Sequence, residues 1–246
     1  MSQQVHFYDL GKIDYAEAWD IQSELQQDLV NKKRINRDNT DYSTHHYFLF
    51  CEHNPVYTLG KSGKIDNLLL NSTQLKDNSV DFYKVNRGGD ITYHGPGQVV
   101  GYPIFDLDFF FTDIHKYVRL IEEGIIHLLK LYDIDATRYT GFTGVWLPPD
   151  QKSPFWRKIC AIGVHLSRWV TMHGFALNVN TELDYFKNII PCGINDTDKM
   201  VTSISQELKQ EINYTEVKNK LIHIYSQLFD FEIIKSGNYI KKTIIT

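Results

Sequence analysis

The chain has 246 residues, 42% of them hydrophobic and 23% charged. These are the proportions of an ordinary soluble globular protein with enough apolar material for a sizeable core, so disorder is not expected. Lys plus Arg number 26 against 30 Asp plus Glu, a net charge of −4, which lacks the basic excess that nucleic-acid binding favours. No apolar run reaches the ~20 residues that cross a bilayer, and Met1 to His6 lack the basic-then-apolar pattern of an export signal. A cytoplasmic protein with no membrane partner is the expectation.

Asp14 heads a helix running to about Arg34, in which Ala18, Leu25 and Leu29 recur near helical spacing and Lys32-Lys33-Arg34 suits the negative end of the dipole. His46 to Cys51 reads as a buried strand, Asn54-Pro55 as a turn, and Val56 to Gly60 as a second strand. The polar stretch Lys64 to Asp81 reads as an irregular excursion before a strand at Phe82 to Val85. After Thr112, taken as its cap, Ile114, Val118, Ile121, Ile125, Leu128 and Leu129 share one face of a helix. Strands follow at Phe142 to Leu147, Ile159 to Leu166 and Phe175 to Val179. Thr215 then caps a last helix carrying Val217, Leu221, Ile224 and Leu228. Helices at both ends and strands between them give a mixed α/β class with a largely central sheet, expected as a single domain over residues 1–246.

The stretch from Arg87 to Gln98 holds four glycines, an arginine and two ring side chains. Glycines permit positive φ and let backbone approach a ligand, and Arg87 suits a carbonyl or an anion. A tight hairpin, with Gly88-Gly89 as its turn and Gly95-Pro96-Gly97 as a second bend, explains the same residues equally well. Neither the dinucleotide nor the phosphate-loop glycine pattern is present. Cys192 lies between Pro191 and Gly193, which force irregular backbone and can present a side chain to a cleft. A thiol with an ordinary pKa near ~8.5 needs a nearby cation to act as a nucleophile at neutral pH. Lys158, at the head of the apolar segment Ile159 to Val164, is the candidate; a solvated strand-end lysine is the plain alternative. Cys51 and Cys160 sit in strand-like text as packing residues. No set of His and Cys has metal-ligand spacing, so no metal site is expected.

Read together, Glu52 to Gly60, Arg87 to Ile104, Lys158 to Gly163, Ser167 to Val179 and Pro191-Cys192-Gly193 resemble, in order, the motifs of the octanoyltransferase family of lipoate biosynthesis. The resemblance runs from about Glu52 to Thr202. It implies an α/β catalytic domain of the biotin/lipoate protein ligase type. By the same resemblance Cys192 is the acyl-carrying nucleophile and Lys158 its activator. The acyl-binding positions fall on Arg87, Gly88, Gly89, Asp90, Ile91, Thr92, Tyr93 and His94, on Ala161, Ile162 and Gly163, and on Gly174, Phe175 and Ala176, with apolar side chains near Tyr93 and Phe175 forming the slot. Position 90 is Asp where many relatives have Gln, and position 160 is Cys where many have a smaller residue.

The implied donor is octanoyl-acyl carrier protein. The implied acceptors are lipoyl domains of 2-oxoacid dehydrogenase complexes and the glycine cleavage H protein. Thioester exchange followed by amide formation needs no cofactor. Two other readings remain: an ATP-dependent lipoate or biotin ligase on the same fold, which needs no cysteine nucleophile, and a non-catalytic module that binds acyl carrier protein or lipoyl domains.

Overall fold

The structure, a computed structural model, describes residues 2–36, 44–190 and 199–235. Strand β1 (Gln3–Lys12) leads into helix α1 (Tyr15–Ile35), then β2 (His46–Glu52) and β3 (Val56–Leu59). Helix α2 (Ser72–Asp77), β4 (Asp81–Lys84), β5 (Ile91–His94), β6 (Gln98–Ile104) and helix α3 (Ile114–Lys130) follow. Next come β7 (Thr137–Tyr139), β8 (Phe142–Leu147), β9 (Trp156–Ser167) and β10 (Val170–Asn178). The described chain ends with β11 (Lys199–Val201), helices α4 (Ile204–Leu208) and α5 (Tyr214–Leu228), and β12 (Phe231–Lys235).

Nine strands form a mixed sheet in the order β12-β1-β2-β6-β10-β9-β8-β7, with β11 added alongside β9. A second sheet of three strands runs β4-β3-β5. Successive side chains of a strand face opposite ways, and the large sheet buries both faces accordingly. Phe48, Phe50, Val99, Phe175 and Leu177 meet α3 and α5 on one side. Leu49, Cys51, Val100, Tyr102 and Ala176 meet Ala18, Ile21, Leu25 and Leu29 of α1 on the other. The small sheet covers the part of that second face which α1 leaves open, joined to it through Tyr15, Val56 and Val85.

Several expectations shift by a residue or change character. The caps of α3 and α5 are Asp113 and Asn213, whose side chains accept from the amides of Lys116 and Glu216. The first follows the expected Thr112 by one residue and the second precedes the expected Thr215 by two, because a carboxylate or amide oxygen caps at least as well as a hydroxyl. The excursion between β3 and β4 is ordered by a short 3-10 turn at Ile65–Asn67 and by α2, which closes a capping box between Asn71 and Gln74. The glycine-rich stretch is not a hairpin. β4 pairs with β3 in parallel and β5 pairs with β3 antiparallel, so the loop at Gly88-Gly89 passes from one flank of β3 to the other. The Gly95-Pro96-Gly97 bend carries the chain from the small sheet into the large one.

Candidate active site

Where the small sheet stands off the large one, a cavity of about 210 Å³ opens. Its floor follows from cross-strand register. Val100 of β6 lies opposite Ala176 of β10, which lies opposite Ala161 of β9. Two alanines in this row keep the sheet surface low, leaving room for an apolar chain above it.

Lys158 reaches the cavity through an irregularity in β9. Strict alternation places Lys158 on the same face as Cys160, whose side chain is buried in the α3/α5 core. The pairing of β8 with β9, however, steps from Val145↔Cys160 to Trp146↔Lys158 and leaves Ile159 as an extra residue. Ile159 and Cys160 therefore both point into the core, and the side chain of Lys158 turns to the cavity. Such bulges commonly re-aim a side chain beside a functional site. Gly144, at φ +121°, lets β8 follow the bulge, since a Cβ there would stand 2.5 Å from the carbonyl oxygen of Cys160. The Lys158 ammonium lies 4.6 Å from the centroid of the Trp146 ring, a cation–π contact that holds the amine on a rigid surface.

Arg87 is buried, with 7% of its surface exposed. Its Nη2 donates to the Thr58 carbonyl at 2.6 Å and to Thr58 Oγ1 at 2.9 Å, and its Nη1 donates to the Gly88 carbonyl at 3.0 Å. No carboxylate among the described residues forms an ion pair with it, and burial lowers its pKa. The surrounding glycines make room for this guanidinium. A Cβ at Gly60 would stand 2.8 Å from Nη1, and one at Gly163 would stand 3.1 Å from Arg87 Cδ and 2.8 Å from the Gly88 carbonyl oxygen. The glycine-rich stretch thus houses a buried cation as well as bordering the cavity.

Thirteen of the expected site residues border the cavity: Lys158, Arg87, Gly89, Asp90, Ile91, Thr92 and His94, Ala161, Ile162 and Gly163, and Gly174, Phe175 and Ala176. Gly88 and Tyr93 do not. The Gly88 amide donates to the Val164 carbonyl and pins the loop to β9. Tyr93 faces away, stacked at 4.7 Å on Tyr185 in a separate apolar cluster. Phe175 and Ile162 border the cavity, yet the Phe175 ring packs against Phe48, Phe50 and Tyr225 and Ile162 against the same core. By alternation they present main chain to the cavity, so the Tyr93 and Phe175 rings do not themselves line it. Cys192 lies outside the described residues. Just before it, the Ile190 amide donates to the Asn67 carbonyl while Asn67 Nδ2 donates to Asp90 Oδ2 at 2.6 Å. The excursion before β4 therefore ties the approach to Pro191 to the glycine-rich loop.

Tyr15, Gln98, Val100, Tyr102, His173 and Asn178 also line the cavity, and none was expected there. The period-two sets Gln98/Val100/Tyr102 and Gly174/Ala176/Asn178 are the sequence signal that finds four of the six once β6 and β10 are paired. Tyr15 has no such signal, because it arrives from α1 and stacks on His94 across the molecule at 5.8 Å.

Burial keeps the interior histidines neutral. Desolvation pushes the pKa of His53 down to about 4 and those of His46 and His173 to about 3, and lowers that of His94 well below its usual value. Above pH ~6.5 these histidines are neutral both folded and unfolded, so they cost nothing. Below it the unfolded chain takes up protons that the native state refuses, and stability falls until the folded values are reached. Thermal melts are expected to be flat in this respect above neutrality. They should drop steeply between about pH 6.5 and pH 4, each histidine contributing about 1.4 kcal/mol per pH unit.

Comparison with known proteins fits this arrangement. The family described as lipoyl protein ligase A/B catalytic domain matches residues 14–226. The octanoyltransferase of Christiangramia forsetii is 56% identical over 235 residues, covering 95% of this chain and 99% of the relative. That of Flavobacterium johnsoniae is 56% identical over 236 residues, covering 95% and 100%. The chain belongs to the lipoyl protein ligase A/B family, among its octanoyltransferases. It is an acyltransferase. Solved structures share the fold at low identity. A bipartite lipoate protein ligase from Thermoplasma acidophilum superposes with TM-score 0.67 at 17% identity, covering 98% of this chain and 89% of that one. A lipoate-protein ligase A bound with ATP gives 0.67 at 15%, covering 98% and 91%. The expected fold type of the biotin/lipoate protein ligases is thus the observed one. No helix among the described residues is long and apolar enough to cross a membrane.

Proposed function

We propose that this chain carries an octanoyl group from octanoyl-acyl carrier protein to a lysine of a lipoyl domain in the cytoplasm, with Cys192 as acyl carrier and Lys158 as its activator. The observation that carries the reading is the β9 bulge, which delivers a lysine ammonium to a cavity floored by alanines. The other two thiols are unsuited to the nucleophilic role. Cys51 and Cys160 are buried in the two cores, and desolvation raises both pKa values, which disfavours the thiolate that attacks.

In the first half-reaction the Cys192 thiolate attacks the thioester carbonyl carbon. A new C–S bond forms, the C–S bond to the carrier's phosphopantetheine breaks, and the departing thiolate takes a proton. In the second, the acceptor lysine nitrogen attacks the acyl-enzyme. The C–N amide bond forms, the bond to Cys192 breaks, and the proton lost by the amine returns to sulfur. Lys158 stabilises the thiolate and passes these protons. The buried charge of Arg87 adds positive potential to the cavity wall, where oxygen carries negative charge in the tetrahedral intermediate. Acceptors of this class include lipoyl domains of 2-oxoacid dehydrogenases and the glycine cleavage H protein.

Incubation with octanoyl-acyl carrier protein in the absence of ATP tests the reading by intact-mass and peptide mapping. One octanoyl group should appear on Cys192 and pass to a lipoyl-domain lysine when that domain is added. Strict dependence on ATP would point to a ligase instead, and acylation that persists in Cys192→Ser would remove the assigned nucleophile.

A further inference from the structure

A line of buried polar side chains runs along the cavity wall from Arg87 to the strand pair that carries Lys158, and its proton positions can be fixed from two main-chain carbonyls. The Thr202 carbonyl only accepts, so Asn178 Nδ2 donates to it, at 2.9 Å. Asn178 Oδ1 then faces Gln98 and accepts from Gln98 Nε2 at 2.9 Å. The same Nε2 lies 3.3 Å from the Tyr93 carbonyl, which fixes the Gln98 amide independently. Gln98 Oε1 is left to face His94 Nδ1 at 2.9 Å. An amide oxygen cannot donate, so Nδ1 carries the proton. On the far side of the ring, Nε2 faces Thr58 Oγ1 at 3.4 Å, and that oxygen already accepts from Arg87.

We infer that Thr58, His94, Gln98 and Asn178 are positioning residues forming one directed hydrogen-bond chain. Arg87 donates to Thr58, Thr58 to His94 Nε2, His94 Nδ1–H to Gln98, Gln98 to Asn178, and Asn178 to Thr202. Every donor points the same way, so each bond polarises the next. At one end the chain holds a buried guanidinium at the cavity wall. At the other it grips Thr202, whose amide donates to the Lys158 carbonyl at 2.9 Å and whose neighbour Val201 pairs with Lys158. The two cations of the cavity are thereby kept in register through neutral groups that exchange no proton with substrate. The groups around the His94 ring suit a neutral link: Tyr15 stacks on it, His53 lies edge-on at 6.0 Å, and Arg87 and His173 face it, none of them an anion. His94 is then neither the acid nor the base of the reaction.

The kinetic consequence rests on acyl transfer as proposed above; the proton assignment does not, so the two can fail separately. Nitrogen-15 NMR of the imidazoles in the wild-type protein, with His94→Gln to assign the signal, should show His94 as the Nδ1–H tautomer with no titration between pH 5 and pH 8. An Nε2–H tautomer, or a midpoint inside that range, would overturn the chain whatever reaction the protein performs. For the kinetic arm, Thr58→Val removes the hydroxyl at nearly constant shape, whereas Thr58→Ser keeps it. Octanoyl transfer should lose about three- to tenfold in kcat in the valine variant, the worth of one hydrogen bond, with little change in KM, and recover in the serine variant. Equal rates in Thr58→Val and wild type, or equal losses in Thr58→Val and Thr58→Ser, would show that the hydroxyl link positions nothing.

Discussion

Replacing Lys158 with methionine is expected to lower kcat for octanoyl transfer by about 10²–10⁴-fold, the usual worth of a positioned acid–base group. Methionine keeps much of the aliphatic stem beside Gly144 and Trp146, so packing is nearly preserved and the loss reports the charge. The pH profile discriminates further. If the ammonium sustains the Cys192 thiolate, the residual rate of Lys158→Met should rise with pH toward the range of an ordinary thiol, ~8.5. Arginine is not expected to rescue. Its guanidinium can stack on the Trp146 ring but does not give up its proton. Burst kinetics with octanoyl-acyl carrier protein would separate slow acylation of Cys192 from slow transfer to the acceptor. A Lys158→Met enzyme with unchanged kcat would leave the bulge without a catalytic purpose.

Ala176→Leu is expected to shift the acyl preference toward shorter chains. Ala176 lies between Val100 and Ala161 across three strands, and added carbons at that point enter the cavity in which the acyl chain is proposed to lie. Each methylene that no longer finds room should cost about 1–3 kcal/mol. Octanoyl transfer is therefore expected to fall at least tenfold in kcat/KM, while a butanoyl donor changes little. Because β10 is buried on both faces, part of the effect appears as stability, about 1–3 kcal/mol for overpacking. Competition between donors of different length in one reaction is insensitive to that loss, since both draw on the same folded enzyme. An unchanged ratio would place the acyl chain elsewhere in the cavity.

Much of this architecture was legible from patterns within one element. Helix α3 carries six apolar residues at three-and-four spacing and needed no tertiary information. Strand β8 was delimited at the observed residues by its apolar run. Strand β1 was not, because Gln3-Gln4-Val5-His6-Phe7-Tyr8-Asp9 alternates poorly and is stabilised by neighbours on both sides rather than by its own pattern. The site shows the same division. Five ordered motifs pointed to Lys158 and to the loop at Arg87, but not to how either is aimed. Alternation alone sends Lys158 into the core, and only the pairing of β8 with β9 exposes the extra residue at Ile159. The purpose of Gly60 and Gly163 is likewise invisible until the guanidinium they accommodate is placed between them. Tyr15 and Asn178 meet His94 and Gln98 across about 80 residues of sequence each, a relation that no local window contains.

The pairing of β1 with β12 brings Gln3 alongside Phe231, and the Ser2 hydroxyl reaches the Asp230 carbonyl from 228 residues away. On the ribosome, β1 can join β2 early, but its outer hydrogen-bonding edge has no companion until nearly all of the described chain has been made. Through most of synthesis the nascent molecule therefore presents an open strand edge of the kind that recruits other chains. β12 closes that edge, which makes this late stretch of the described chain a guard against misassembly during birth.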